Sequence, residues 1–258
     1  GTNDLVSITS AAQTGALVED AAVVSATGTI SFTDVDLADV HGTSFAAAAN
    51  STTLGAFALA AANEAANAAA GSVGWTYTLD NAAVQYLAVG QSVSETYAVT
   101  VADGHGSSAT QDVVITITGT NDLVSITSAA QTGALAEDAA ISSATGTVSF
   151  TDADLADVHG TSFAAAANST TLGAFGLAAA SEAANAAAGT VGWTYTLDNA
   201  AAQYLAVGQS VSETYTVTVA DGNGSSATQD VVITITGTND AVSITSAAQT
   251  GSLVEDAA

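Results

Sequence analysis

The chain has 258 residues, 25 of them Asp or Glu and none Lys or Arg, for a formal net charge of −25 at neutral pH. With no cationic side chain to meet phosphate or an anionic bilayer, it is read as having no nucleic-acid partner and no membrane-docking patch. Cys, Met and Pro are also absent, which leaves no disulfide, thiolate nucleophile, Cys-held zinc or Lys Schiff base. Hydrophobic residues make up 48%, too many for a disordered acidic tail. Mean hydropathy is positive, yet no apolar run approaches the ~18 residues of a transmembrane helix. The opening GTND carries neither Met nor a basic leader, so the chain is read as a piece of a longer protein.

From the N-terminus, Gly1–Asp4 leads into a first strand at Leu5–Thr9, and Glu19-Asp20 follows it. Thr29–Thr33 alternates Ile30 and Phe32 with hydroxyl residues, the period of a half-buried strand. It runs into an acidic stretch, Asp34-Val35-Asp36-Leu37-Ala38-Asp39. Weaker strands are expected at Thr43–Ala47 and Leu54–Leu59, with a glycosylation-type sequon at Asn50–Thr52 between them. The Ala-rich Ala60–Ala70 reads as a loop or short helix, and Asn81–Leu87 as a helical turn. Between them, Trp75–Leu79 alternates large residues with Thr. Tyr97–Val101 forms the sixth strand, with Tyr97 at the place of a tyrosine corner. Asp103-Gly104-His105-Gly106 makes a hairpin, and Val113–Ile117 closes the pattern.

GTND then recurs at Gly119 and again at Gly237, a spacing of 119 − 1 = 237 − 119 = 118 residues. Residues 1–118 and 119–236 align without a gap and differ at 11 positions, among them Val35/Ala153 and His105/Asn223. Residues 237–258 begin a third, incomplete copy. A 118-residue period is a full domain rather than a solenoid repeat. About seven half-buried strands per copy predict an all-β fold, tandem immunoglobulin-like or cadherin-like sandwiches.

The acidic residues fall at strand ends. The topology predicts that Asn3, Asp4, Asp34, Asp36, Asp39 and Asp103 converge at the top of a copy and that Glu19 and Asp20 lie at its bottom. Bottom meets top at the junction. That gathers Glu19, Asp20, Asn121, Asp122, Asp152, Asp154, Asp157 and Asp221, and at the next junction Glu137 and Asp138 with Asn239 and Asp240. Carboxylates crowded without cations repel, and a hard divalent cation resolves this. Ca²⁺ takes six to eight oxygen ligands in flexible geometry, whereas Mg²⁺ demands an octahedron. The competing reading is turn chemistry, in which each Asp caps its own loop. The ligand spacing of an EF-hand is absent.

Gly74-Trp75-Thr76-Tyr77-Thr78-Leu79-Asp80-Asn81, then Asp103-Gly104-His105-Gly106, then Val114–Thr118 running into GTND resembles the VCBS repeat of large bacterial RTX-type surface adhesins. Tyr97–Gly104 and Asp34-Val35-Asp36 are also similar to the calcium-binding motifs of cadherin repeats. The resemblance implies Asp34, Asp36 and Asp103 as ligands, with Asn3 and Asp4 as the linker set. Leu5 and Leu123 stand close behind Asn-Asp where such repeats commonly carry Pro, and Glu95 is a loose counterpart of the cadherin Glu.

The expected function is therefore a structural extender on the bacterial cell surface, with calcium stiffening each junction. Its partners are neighbouring repeats, with homotypic filament or cell–cell contacts as a further class. A ligand-binding adhesion module, for carbohydrate or protein, is the alternative. It would need exposed aromatics, but Trp75, Tyr77, Trp193 and Tyr195 fall on the inward phase of their strands. Catalysis is not expected: His41, His105 and His159 are the only histidines, and they form no nucleophile–base or metal-ligand pattern.

Overall fold

A computed structural model describes residues 1–49, 51–167 and 169–255. The sequon asparagines Asn50 and Asn168, and Asp256–Ala258 of the third copy, lie outside the described residues. The first copy comprises β1 (Ser7–Ile8), β2 (Gln13–Val18), β3 (Ser25–Thr33), β4 (Gly42–Ala47), β5 (Gly55–Leu59), β6 (Asn63–Glu64), β7 (Ala70–Leu79), β8 (Ser92–Ala102) and β9 (Ser108–Thr118). One sheet has the order β1-β3-β7-β5 with β6 also on β7, and the other has the order β2-β9-β8-β4. All pairings are antiparallel except β2 with β9. The second copy repeats this from β10 (Ser125–Ile126) to β18 (Ser226–Thr236).

The strand period sets the core directly. On β8, Glu95, Tyr97, Val99 and Val101 point inward, and on β9 Val113, Ile115 and Ile117 do so. Ile30, Phe32, Val73, Trp75, Tyr77 and Leu79 face them from the opposite sheet, and all of these are buried. Each such apolar side chain contributes about 1.5–3 kcal/mol by leaving water. Close packing also fixes one glycine: a Cβ on Gly28 would lie 2.5 Å from the Trp75 ring, so the indole rests on bare backbone.

Three local expectations are corrected. First, the predicted strand at Leu5–Thr9 shortens to β1, after which the chain crosses to the other sheet as β2. Only Gly15 and Leu17 of β2 are buried, so it lacks the apolar alternation that marks a strand. With β6 this gives nine strands rather than about seven. Second, the Ala-rich segment, expected as a loop or short helix, forms the short β6 and a turn, with Asn67 left-handed at φ 57°. Eleven residues are marginal for an isolated helix, and Glu64 is held elsewhere. Third, Tyr97 lies within β8, and its hydroxyl donates to Glu95 at 3.0 Å rather than to backbone. It is no tyrosine corner. The helical turn expected after Leu79 is present, as a 3₁₀ turn at Asn81–Ala83 and, in the second copy, a short α-helix at Asn199–Ala202.

Residues 237–255 carry no strand, and Val242 and Ile244 are exposed there. No helix among the described residues is long and apolar enough to cross a membrane.

Candidate metal centre

Strands β3 and β8 end at the same pole of the copy, which brings the acidic loops together. Asp39 N–H donates to the Asp36 carbonyl at 3.0 Å, curling the loop back on itself. Asp103 caps the β8–β9 hairpin: its Oδ1 accepts from His105 N at 2.7 Å and Ser107 N at 3.0 Å. Its Oδ2 accepts from the Asn3 amide at 2.8 Å. The Asn3 amide and the hairpin N–H groups lower Asp103 to about 2. Asp4 N–H donates to Asp36 Oδ2 at 2.6 Å. Asp34, Asp39 and Asp103 each place an oxygen within 4.8 Å of the others, and so do Asp152, Asp157 and Asp221.

At the junction between the copies the same loop meets the bottom of the first copy. Glu19 follows β2 and is 1% exposed. Its Oε2 accepts from Thr120 N at 3.1 Å and its Oε1 from Gln85 at 2.9 Å. The linker is tied to the second copy by Asn121 Nδ2 to Asp221 at 2.9 Å and Asp122 N to Asp154 Oδ2 at 2.8 Å. Leu155 N–H also reaches the Tyr86 carbonyl across the junction at 3.4 Å. Asp36, at the first copy's top, is half-buried, whereas its equivalent Asp154 is 2% exposed. The two sequences are nearly identical, so the neighbouring copy supplies the extra burial.

The electrostatics follow. Burial raises Glu19 to about 7, with the charges of Asp122, Asp20 and Asp154 adding to it against the Thr120 N–H. Burial raises Asp154 to about 6, reinforced by Asp122, Asp152 and Asp157. Asp122 is raised by burial and by Asp20 and Asp152. Burial opposes ionisation of Asp221, but the Asn121 amide and the hairpin N–H groups outweigh it and hold that carboxyl low. Two carboxylates ~4 Å apart repel by about 4 kcal/mol at the effective dielectric of a protein surface.

The donor supply then runs out. Asn121 Oδ1, Asp122 Oδ2 and Asp154 Oδ1 are buried with no hydrogen-bond partner. Three orphaned acceptors among crowded carboxylates, with no Lys or Arg in the chain, fit a hard cation with oxygen ligands. The residues at hand are Glu19, Asn121, Asp122, Asp152, Asp154, Asp157 and Asp221. Asp20 stands at the rim in the left-handed region, its Oδ1 held by Asn81 at 2.6 Å and Gln85 at 3.1 Å.

At the second junction, Glu137 is fully buried, accepts from Thr238 N at 2.7 Å and keeps Oε2 unpartnered. Asp138 is held low by Asn199 and Gln203, while Asn239 and Asp240 are exposed.

The roles of three residue pairs were not read from the sequence. Glu95 does not reach a junction. It is fully buried and accepts from Leu54 N at 2.7 Å, Tyr77 OH at 2.7 Å and Tyr97 OH at 3.0 Å. Glu213 repeats this with Tyr195 and Tyr215, each at 2.8 Å. Its inward strand phase was the available signal. His41 and His159 are buried between two carboxylates, Asp34 with Glu64 and Asp152 with Glu182. Burial pushes His159 down, but Asp152 and Glu182 outweigh it and hold the imidazole above its ordinary value. Glu64 and Glu182 sit inside the Ala-rich segment, which carried no metal-ligand spacing. Trp75, Tyr77, Trp193 and Tyr195 are buried as expected, which leaves them no stacking platform for a sugar. Tyr86 and Tyr204 are exposed.

No protein-family profile matches the chain, and no curated protein sequence does. Several solved structures align with most of the chain at low identity. Mouse cadherin-23 EC22-24 is 13% identical with a TM-score of 0.43, over 90% of this chain and 67% of that one. Drosophila N-cadherin EC1-4 is 11% identical with a TM-score of 0.42, over 90% and 49% respectively. Titin domains z1z2, solved in complex with telethonin, are 10% identical with a TM-score of 0.35, over 92% and 99%. The sheet pairing itself makes each copy an all-β sandwich of immunoglobulin-like class.

Proposed function

We propose that residues 1–118 and 119–236 are two beads of an extracellular stalk, that residues from 237 begin a third, and that calcium stiffens each junction. The reading extends the resemblance to VCBS repeats of bacterial surface adhesins, whose partners are neighbouring repeats and homotypic contacts at the cell surface. The observation that carries it is the trio of buried, partnerless oxygens on Asn121, Asp122 and Asp154. In the second copy Glu137 adds a fourth such atom. Bound Ca²⁺ would supply the positive charge that the sequence lacks. Glu19, Asn121, Asp122, Asp152, Asp154, Asp157 and Asp221 are the residues that would hold it. At the first copy's top, Asn3, Asp4, Asp34, Asp36, Asp39 and Asp103 form the equivalent half-site.

Strands of 11 residues span ~36 Å at ~3.3 Å per residue, so each bead adds a rod segment of about that length. Small-angle scattering in Ca²⁺, Mg²⁺ and chelator tests the stiffening. We expect the maximum dimension to fall and the distribution of distances to broaden in chelator, with Mg²⁺ restoring little. A profile indifferent to chelator would return the acidic loops to plain turn chemistry.

A further inference from the structure

Asp152 is gripped from one side by a single segment. Its backbone N–H donates to the Ala187 carbonyl at 2.8 Å, and the hydroxyl of neighbouring Thr151 shares that carbonyl at 2.9 Å. Its Oδ2 meets His159 Nε2 at 3.1 Å. His159 in turn is clamped at two points by Glu182, through its backbone N at 3.0 Å and its Nδ1 at 2.7 Å. The ring packs on Phe150 with centroids 4.7 Å apart. Both Ala187 and Glu182 belong to the Ala-rich segment, where β15 (Ser181–Glu182) adds briefly to β16 (Ala188–Leu197).

The first copy repeats each contact. Asp34 N–H donates to Ala69 O at 2.7 Å, His41 Nε2 meets Asp34 at 3.2 Å, and His41 Nδ1 meets Glu64 at 2.7 Å. In each copy both ring nitrogens face carboxylates at hydrogen-bond distance, so the imidazole bridges two acidic side chains. A carboxylate oxygen has two lone pairs, so Asp152 can satisfy His159 and still face a cation.

We propose that the Ala-rich segment is a positioning device for the junction's metal ligand, acting on Asp152 through Glu182 and His159, and on Asp34 through Glu64 and His41. This rests on the calcium reading above. Partners that orient metal ligands in this way typically contribute 10–100-fold to metal affinity. The segment's lack of large apolar side chains then has a reason: it exists to deliver one carboxylate and one carbonyl, and it packs little core.

The experiment is a Ca²⁺ titration of junction stiffening by small-angle scattering on the full chain, with chelator melts alongside. The variants are His159→Gln, Glu182→Gln and Gly146→Ala. His159→Gln and Glu182→Gln should raise the Ca²⁺ midpoint about 10–100-fold. Gly146→Ala presses a methyl into the Trp193 ring in the core of the same copy, and should leave the midpoint unmoved while costing stability in chelator. Glu182→Gln is nearly isosteric and keeps one acceptor oxygen, so it reports even if His159→Gln fails to fold. A wild-type midpoint in Glu182→Gln, or equal shifts in Gly146→Ala and His159→Gln, overturns the inference and leaves the calcium reading standing. A wild-type chain that ignores Ca²⁺ overturns both.

Discussion

Replacing Glu95 tests the core most sharply. Its carboxylate receives the Leu54 N–H and the hydroxyls of Tyr77 and Tyr97 in a fully buried setting. Burial and this carboxylate together push both phenols above their ordinary range, so the tyrosines stay neutral donors. Glu95→Ala leaves all three donors without an acceptor and opens a void. At about 1–3 kcal/mol for each orphaned buried donor, the loss is roughly 3 kcal/mol at least. That is a large share of the ~5–15 kcal/mol that holds a domain together. Glu95→Gln keeps one acceptor oxygen, and the hydroxyls can rotate to accept from the new amide, so its cost should be much smaller. Urea unfolding followed by tryptophan fluorescence would show this, with Trp75 reporting the first copy and Trp193 the second. Glu95→Ala should split the transition in two, moving the first copy's midpoint and leaving the second's in place. A single unshifted transition for Glu95→Ala, or equal losses for Ala and Gln, would refute the reasoning.

Two further outcomes follow from packing and charge. Gly28→Ala drives a methyl into the Trp75 ring and should cost about 1–3 kcal/mol, as overpacking does; an unchanged urea midpoint would contradict it. In chelator, stability should fall as pH rises. Glu19, raised from 4.5 to about 7, and Asp154, raised from 3.8 to about 6, bind protons more tightly when folded. Their contribution is therefore present below the unfolded values and lost as pH climbs through the folded ones. His41 and His159, also raised, extend the loss above 6.5. Asp103 and Asp221, held low, act in the opposite sense only below about 3.8. Melting temperatures in chelator between about pH 5 and pH 8 should decline, and Ca²⁺ should flatten or reverse the trend because it displaces those protons. A chelator melt that rises over this range would be inconsistent with the junction's charges.

The 118-residue period, the all-β class and the placement of acids at strand ends were legible in the sequence. Each is a local property: a side-chain period of two, a turn residue after an apolar run, a recurring tetrapeptide. The inward phase of Trp75 and Tyr77 was equally plain. The composition also fixed that no carboxylate could meet Lys or Arg. Which carboxylates suffer for it was decided by tertiary structure, because burial and pairing join residues far apart in the chain. Asp36 and Asp154 stand in nearly the same local sequence, yet only Asp154 is covered, by the neighbouring copy. Glu95 finds the Tyr77 hydroxyl on another strand, and His41 finds Glu64 across 23 residues of chain. Strand β2 exists because β9 offers it a parallel edge, since its own Gly15 and Leu17 could not announce it. The net charge of −25 stated that positive charge must come from elsewhere. The fold determined where it is wanted.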